Sequence, residues 1–321
     1  LAILARRAPD SEAHMQALLL RQMLDAALDR AARAQAGAGR VLDWCRRRGQ
    51  EPFELCDEAL MAAAALQDRQ GYVREAEATY RDLIALRLAR AGPAHARTLQ
   101  ARTRHARAVL RLGDAMRAAA LLEPVLAAQQ DIYDQVTPDV AATRGALAEA
   151  LTALGEFDRA RALHEAQLAG LVEAHGGGHP EVAAYLGNFG VFLMKAGEYE
   201  QAIARLAECA AAYAALGGPD HAGVHVCNGN RADVLREMGR AAQAEPLSRA
   251  ALEGIARAFG EDSPLMAARH SNLGRVLATL GRHDEALAQL ALAQAASRAQ
   301  GNAMEALLRM HALEIELRTG R

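Results

Sequence analysis

Lysine is almost missing from this 321-residue chain: Lys195 is the only one among 37 basic residues, a bias that suggests a GC-rich bacterial genome. Aromatic residues make up only 4%, and Trp44 is the single tryptophan. The formal net charge of −2 excludes bulk electrostatic attraction to nucleic acid or to an anionic membrane. Cysteine is scarce. Cys45, Cys56, Cys209 and Cys227 form no C-x-x-C pair and no disulfide framework, so they are expected to be buried, reduced thiols of a cytoplasmic protein. No apolar run is long enough to span a bilayer. The opening "LAILARRAPD" has no basic segment ahead of a sustained apolar core and no initiator Met. It does not read as a signal peptide, and the chain is expected to be processed or part of something longer.

What the sequence does contain is alanine, about a quarter of all residues, with Gly and Pro in isolated positions. That composition favours helix. The glycines are periodic. Gly71, Gly113, Gly155, Gly197, Gly239 and Gly281 stand 42 residues apart. Five residues after each comes an alanine: Ala76, Ala118, Ala160, Ala202, Ala244 and Ala286. Seven before each comes a small residue: Ala64, Ala106, Ala148, Gly190, Ala232 and Gly274. A fixed internal period is the signature of a solenoid.

Each unit reads as two helices. Leu186, Phe189, Phe192 and Leu193 form an apolar stripe at helical spacing, as do Leu273, Val276, Leu277 and Leu280. The small residues admit a close approach of the two helices, and the anchor glycine ends the first of them. The joint between units is periodic too. Gly92, Gly176, Gly218 and Gly260 recur, with Asp134 in the remaining frame. Three residues on stand His95, Thr137, His179, His221 and Ser263 in a capping slot, and Pro138, Pro180 and Pro264 follow at the first helical position.

Paired helices, small residues at the close contact and "G-x-Y-x-x-A" (Gly197, Tyr199, Ala202) resemble a tetratricopeptide repeat. The period of 42 exceeds the usual ~34, about one extra turn per helix. "GGGHPEVA" (176–183) and "LGNFG" (186–190) are similar to the longer repeats of kinesin light chains and their bacterial relatives. The resemblance covers about 51–300 and implies an all-α, right-handed α-solenoid of antiparallel helix pairs, six units long. The aromatic after the anchor glycine is present at Tyr72, Phe157 and Tyr199 but not in every unit. Residues 1–50 do not follow the frame. They read as an N-terminal helical cap, with one helix beginning near Ser11 and another around Val41–Arg48. Residues 301–321 read as one more first helix, with Gly320 at 39 rather than 42 residues after Gly281. It is either a solvating terminal helix or half of an interrupted repeat.

The resemblance also implies that the first helices line a concave groove. With the anchor glycine as position 15, positions 2, 5, 6, 9 and 12–13 point into it. Position 6 holds Asn188, Asn230 and Asn272. An Asn side chain both donates and accepts, so a column of three can pair with the main chain of an extended peptide. In kinesin light chains and bacterial peptide-pheromone receptors, Asn at this position forms such a ladder. The plainer reading is that these Asn bond a neighbouring helix. Asn costs helix propensity, which favours the ladder. The second unit offers Arg104, Arg107 and Arg111, with Arg69 nearby. They read either as a grip for a carboxylate or phosphate, or as a solvated arginine face. Glu149, Asp233 and Glu237 share the groove with Lys195, Arg236 and Arg275, which makes it polar and of both signs.

Other motifs carry less. His221 and His225 have a spacing that can seat zinc, with Cys227 close by, but His221 occupies the capping slot. "GGG" at 176–178 lacks the Lys-Ser/Thr of a phosphate loop, and "GAG" at 37–39 lacks a preceding strand. Trp44 reads as an anchor of the N-terminal cap. No catalytic arrangement, metal site or cofactor is expected. The sequence points to a non-enzymatic scaffold binding a charged peptide segment of another protein or of another domain of its own chain. The alternative is a regulatory arm of a larger signalling protein: a kinase, NTPase or transcription regulator. Neither membrane nor nucleic acid is expected as a partner, and the oligomeric state is left open.

Overall fold

The structure, a computed structural model, describes residues 11–27, 31–133 and 137–299. Asp134 and the expected helix of 301–321 with its Gly320 lie outside the described residues, as does "LAILARRAPD". The described residues form fourteen helices and no strand: α1 Glu12–Ala27, α2 Ala31–Arg47, α3 Phe53–Arg69, α4 Val73–Ala91, α5 Ala96–Arg111, α6 Ala115–Ile132, α7 Pro138–Ala153, α8 Phe157–His175, α9 Pro180–Lys195, α10 Tyr199–Gly217, α11 Ala222–Glu237, α12 Ala241–Phe259, α13 Pro264–Thr279 and α14 His283–Ala299. Contacts divide the chain into two compact units, meeting between Leu163 and His164.

The periodic glycines terminate helices α3, α5, α7, α9, α11 and α13, with φ between +73° and +89°. Each stop has the same wiring. The N–H two residues past the cap reaches back five residues, as in Tyr72 to the Gln67 carbonyl at 2.9 Å and Arg240 to the Leu235 carbonyl at 2.8 Å. Only glycine takes this left-handed turn without a Cβ penalty. The alanines five residues further on are all fully buried. At Gly190 a Cβ would lie 2.5 Å from Leu206 Cγ, so α9 and α10 approach more closely there than alanine would allow.

The capping slot is filled as the sequence suggests. Nδ1 of His95, His179 and His221 accepts from the N–H of Arg97, Glu181 and Gly223 at 3.0–3.2 Å. Thr137 and Ser263 accept through their hydroxyls at 3.3 Å, from the N–H of Val140 and Leu265. Pro138, Pro180 and Pro264 sit at the first helical turn, where a missing N–H costs nothing.

Unit 1 packs α1 on α2, α2 on α3, and then each helix on the next as far as α7. Trp44, Leu55, Leu60, Tyr80 and Leu83 form its centre. One buried ion pair threads it. Arg87 of α4 grips Asp57 of α3 at both carboxylate oxygens, 2.5 and 2.9 Å, and its third nitrogen donates to the Arg97 carbonyl at the start of α5. Removing either partner would strand a buried charge, at a cost of about 3–5 kcal/mol. The second N-terminal helix is longer than the sequence suggested. It runs from Ala31 to Arg47, and its Gly37 lies over Gln22 of α1.

Unit 2 contains the pairs α9/α10, α11/α12 and α13/α14, each packed on the next. Its cores are Val182, Leu186 and Ala210 in the first pair, Ala232, Leu235 and Ala244 in the second, and Leu273, Leu277 and Leu290 in the third.

The cysteines overturn one expectation. Cys45 at the end of α2 is joined to Cys56 in α3, with Cα atoms 5.7 Å apart. Cys209 in α10 is joined to Cys227 in α11, at 6.1 Å. Both separations suit a disulfide. Each pair comes from consecutive helices packed face to face, 11 and 18 residues apart in sequence, which no short cysteine motif reveals. All four cysteines are paired, so none is the reduced thiol expected of a cytoplasmic protein. No helix among the described residues is long and apolar enough to cross a membrane.

Candidate functional site

In unit 2 the first helices α9, α11 and α13 lie side by side. Between α11 and α13 the facing rows meet at a fixed offset. Residue i on one helix reaches residue i+38 or i+39 on the next, the repeat length less about one helical turn. Three rungs result between α11 and α13. Arg269 Nη2 donates to Asn230 Oδ1 at 3.5 Å. Asn272 Nδ2 donates to Asp233 Oδ2 at 2.5 Å. Arg275 Nη2 donates to Glu237 Oε1 at 3.3 Å, and Arg236 also pairs with Glu237.

The expected asparagine column therefore divides. Asn230 and Asn272 are half-buried and each bonds the neighbouring helix, yet each keeps amide atoms unused by these rungs. Asn188 is exposed. The residue 39 positions on from it in sequence is Cys227, which is tied to Cys209 and offers no polar rung.

The centre of this cluster is electrostatically tense. Burial pushes the Asp233 carboxyl up to about 6, although Arg269, Arg275 and Arg236 all favour its charge. Burial likewise lowers Arg269 against the pull of Asp233. Asp233 Oδ1 and Arg269 Nη1 are both buried without a hydrogen-bond partner. Each is therefore a desolvated polar atom with no hydrogen bond to offset its burial. Sequence reasoning missed Arg269 and its seat at Gly229. The signal was a second glycine inside a helix, in "NGN" at 228–230, where helix propensity argues against one.

Lys195 at the end of α9 is exposed. In unit 1 the arginines do not act as one patch. Arg111 is engaged by both the carboxylate and the backbone carbonyl of Asp68. Arg104 is exposed and hydrogen-bonds the buried Tyr80 hydroxyl, whose phenol burial pushes up and Arg104 pulls down. Arg107 and Arg69 are exposed, and Glu149 is exposed on α7. His221 caps its helix, while His225 is buried against Gly254, so the two imidazoles serve different packing tasks. No group of three metal-ligating side chains gathers among the described residues.

Comparison with known proteins fits this geometry. Tetratricopeptide-repeat family models match residues 140–181, 182–223 and 225–299. No curated protein matches the chain. Among solved structures, a tetratricopeptide repeat protein from Parabacteroides merdae is similar over 94% of this chain and 98% of its own, with a TM-score of 0.65 and 14% identity. TPR-like repeats assigned to a kinesin light chain of Podosopora anserina cover 63% of this chain and 95% of theirs, at TM-score 0.57 and 22% identity. BtubC from P. vanneervenii covers 76% and 92%, at 0.52 and 21%. These likenesses are of fold. With the periodic wiring and the matched models together, the chain carries tetratricopeptide repeats.

Proposed function

We propose that this protein is a peptide-binding scaffold and that unit 2 carries the binding face on α9, α11 and α13. Tetratricopeptide repeats generally serve protein–protein interaction, which supports the class; the ligand chemistry comes from the residues. The observation that carries it is the row Asn188, Asn230 and Asn272, one per helix, whose amides keep atoms that the rungs between α11 and α13 do not use. An extended main chain offers an N–H and a C=O in alternation, and this row offers acceptors and donors in return. Lys195, Asp233, Arg275 and Glu237 add charges of both signs, which select a ligand with defined charged side chains rather than an apolar helix. In unit 1, Arg104, Arg107 and Glu149 offer a subsidiary charged surface for the same class of ligand. The chain acts by binding and not as an enzyme.

The test starts with capture of peptides from a random library displayed on phage, followed by fluorescence anisotropy on the best synthetic peptide. The triple variant Asn188→Ala, Asn230→Ala, Asn272→Ala should weaken binding by about 100-fold, while an N-methylated peptide backbone should abolish it. Equal affinity of wild type and triple variant, with circular dichroism unchanged, would remove the asparagine row from the site.

A further inference from the structure

Unit 1 holds a pocket of about 460 Å³ on the opposite kind of surface, between the second helices α4 and α6 with α5 as its floor. That size lies in the range of small-molecule sites. Its walls are apolar: Ile84 and Leu88 from α4, and Leu121, Pro124 and Val125 from α6. Its polar lining is cationic or imidazole: Arg81, Arg102 and His105, with no carboxylate among the lining residues. Glu77 lies beside it and is already shared. It accepts from His105 at 3.0 Å, from Arg117 at 3.1 Å and pairs with Arg81 at 3.2 Å. Burial pushes the Glu77 carboxyl up, but the His105 hydrogen bond and the two guanidinium charges hold it below its ordinary value, so it stays ionised. Glu77 is thus taken up by Arg81, Arg117 and His105. Arg102 is half-buried in the pocket wall and forms no ion pair among the described residues.

A half-buried guanidinium with no carboxylate partner, set at the edge of an apolar pocket, is placed to pair with the head group of an anionic ligand. We propose that this pocket is a binding site for a small amphipathic carboxylate, with its head group on Arg102 and its alkyl body against Ile84, Leu88, Leu121 and Val125. The site is separate from the peptide face of unit 2 and does not depend on it.

Isothermal titration calorimetry with decanoate, on the full chain and below its micelle concentration, tests this. The expected result is saturable one-to-one binding. Arg102→Gln should weaken it about tenfold or more, the loss of one charge-assisted hydrogen bond. Leu121→Trp should fill the pocket and abolish it. The neutral 1-decanol should bind wild type at least about tenfold more weakly than decanoate. Circular dichroism checks both variants, and Arg102→Gln decides alone if Leu121→Trp fails to fold. No saturable binding by wild type, unchanged affinity in Arg102→Gln, or equal affinity for 1-decanol would each overturn the proposal.

Discussion

The guanidinium of Arg269 lies against the backbone of Gly229: a Cβ at Gly229 would stand 1.9 Å from Arg269 Nη1. Glycine inside a helix normally weakens it, and replacement by alanine gains about 0.5–1 kcal/mol. Here that gain should be lost. Gly229→Ala has to displace the far end of the Arg269 side chain from its 3.5 Å rung with Asn230, and a net change near zero is expected in urea unfolding. In an Arg269→Ala background the same change should stabilise. If Gly229→Ala stabilises in both backgrounds, Arg269 does not occupy this seat.

Much of the fold was legible because it depends on spacing alone. A glycine every 42 residues, an alanine five later and a capping residue between units each serve one backbone or contact requirement, repeated. Asn188 and Asn230 show where legibility ended. Both occupy the same frame position, yet Asn230 is half-buried and bonded by Arg269 while Asn188 is exposed. Their difference arises from which residue the next helix sets 39 positions on, and from the register between helices. Neither can be read from one helix. The arginine row failed for a related reason, since Asp68, which neutralises Arg111, sits 43 residues away on α3.

Two groups in unit 2 should tilt stability with pH in opposite directions. Asp233 takes its proton near pH 6 when folded but near its ordinary 3.8 when unfolded. Between these values the folded chain holds the extra proton, so raising pH through that window costs stability. His164 is the reverse. It is stacked on Phe189 and hydrogen-bonded to the Tyr185 hydroxyl at 2.9 Å, and burial lowers it from 6.5 to about 4. The unfolded chain binds that proton first, so lowering pH through 6.5 to 4 costs stability. In wild type the two largely offset. Relative to wild type, Asp233→Asn should lose about 1–2 kcal/mol more on acidification from pH 6 to 4, and His164→Gln should lose less by a similar amount. Parallel pH profiles for all three proteins, followed by chemical denaturation, would show that neither group titrates as described.

The histidine caps make a separate claim. His179 holds the start of α9 through an unprotonated Nδ1 that accepts from the Glu181 N–H. His179→Ala should cost about 1 kcal/mol. His179→Ser should recover most of that, because Ser263 fills the same slot with its hydroxyl at α13. Equal losses for Ala and Ser would assign the effect to the stacking of His179 on His175, whose rings are 4.6 Å apart, rather than to the cap.

The paired cysteines yield the last prediction. Protein secreted from an oxidising compartment should have an intact mass about 4 Da below that of the reduced chain, since each disulfide removes two hydrogens. Proteolysis without reductant should release Cys45 with Cys56 and Cys209 with Cys227, and no other pairing. The loops closed are short, 11 and 18 residues, so each bond should contribute about 3 kcal/mol by restricting the unfolded chain. Cys209→Ala with Cys227→Ala should lower the unfolding midpoint of the oxidised protein and leave the reduced protein little changed. That contrast separates the covalent link from the packing of two buried side chains, because the double variant loses the same packing under both conditions. Four thiols that alkylate fully in denaturant without reductant would show that the helices bring the sulfurs together without joining them.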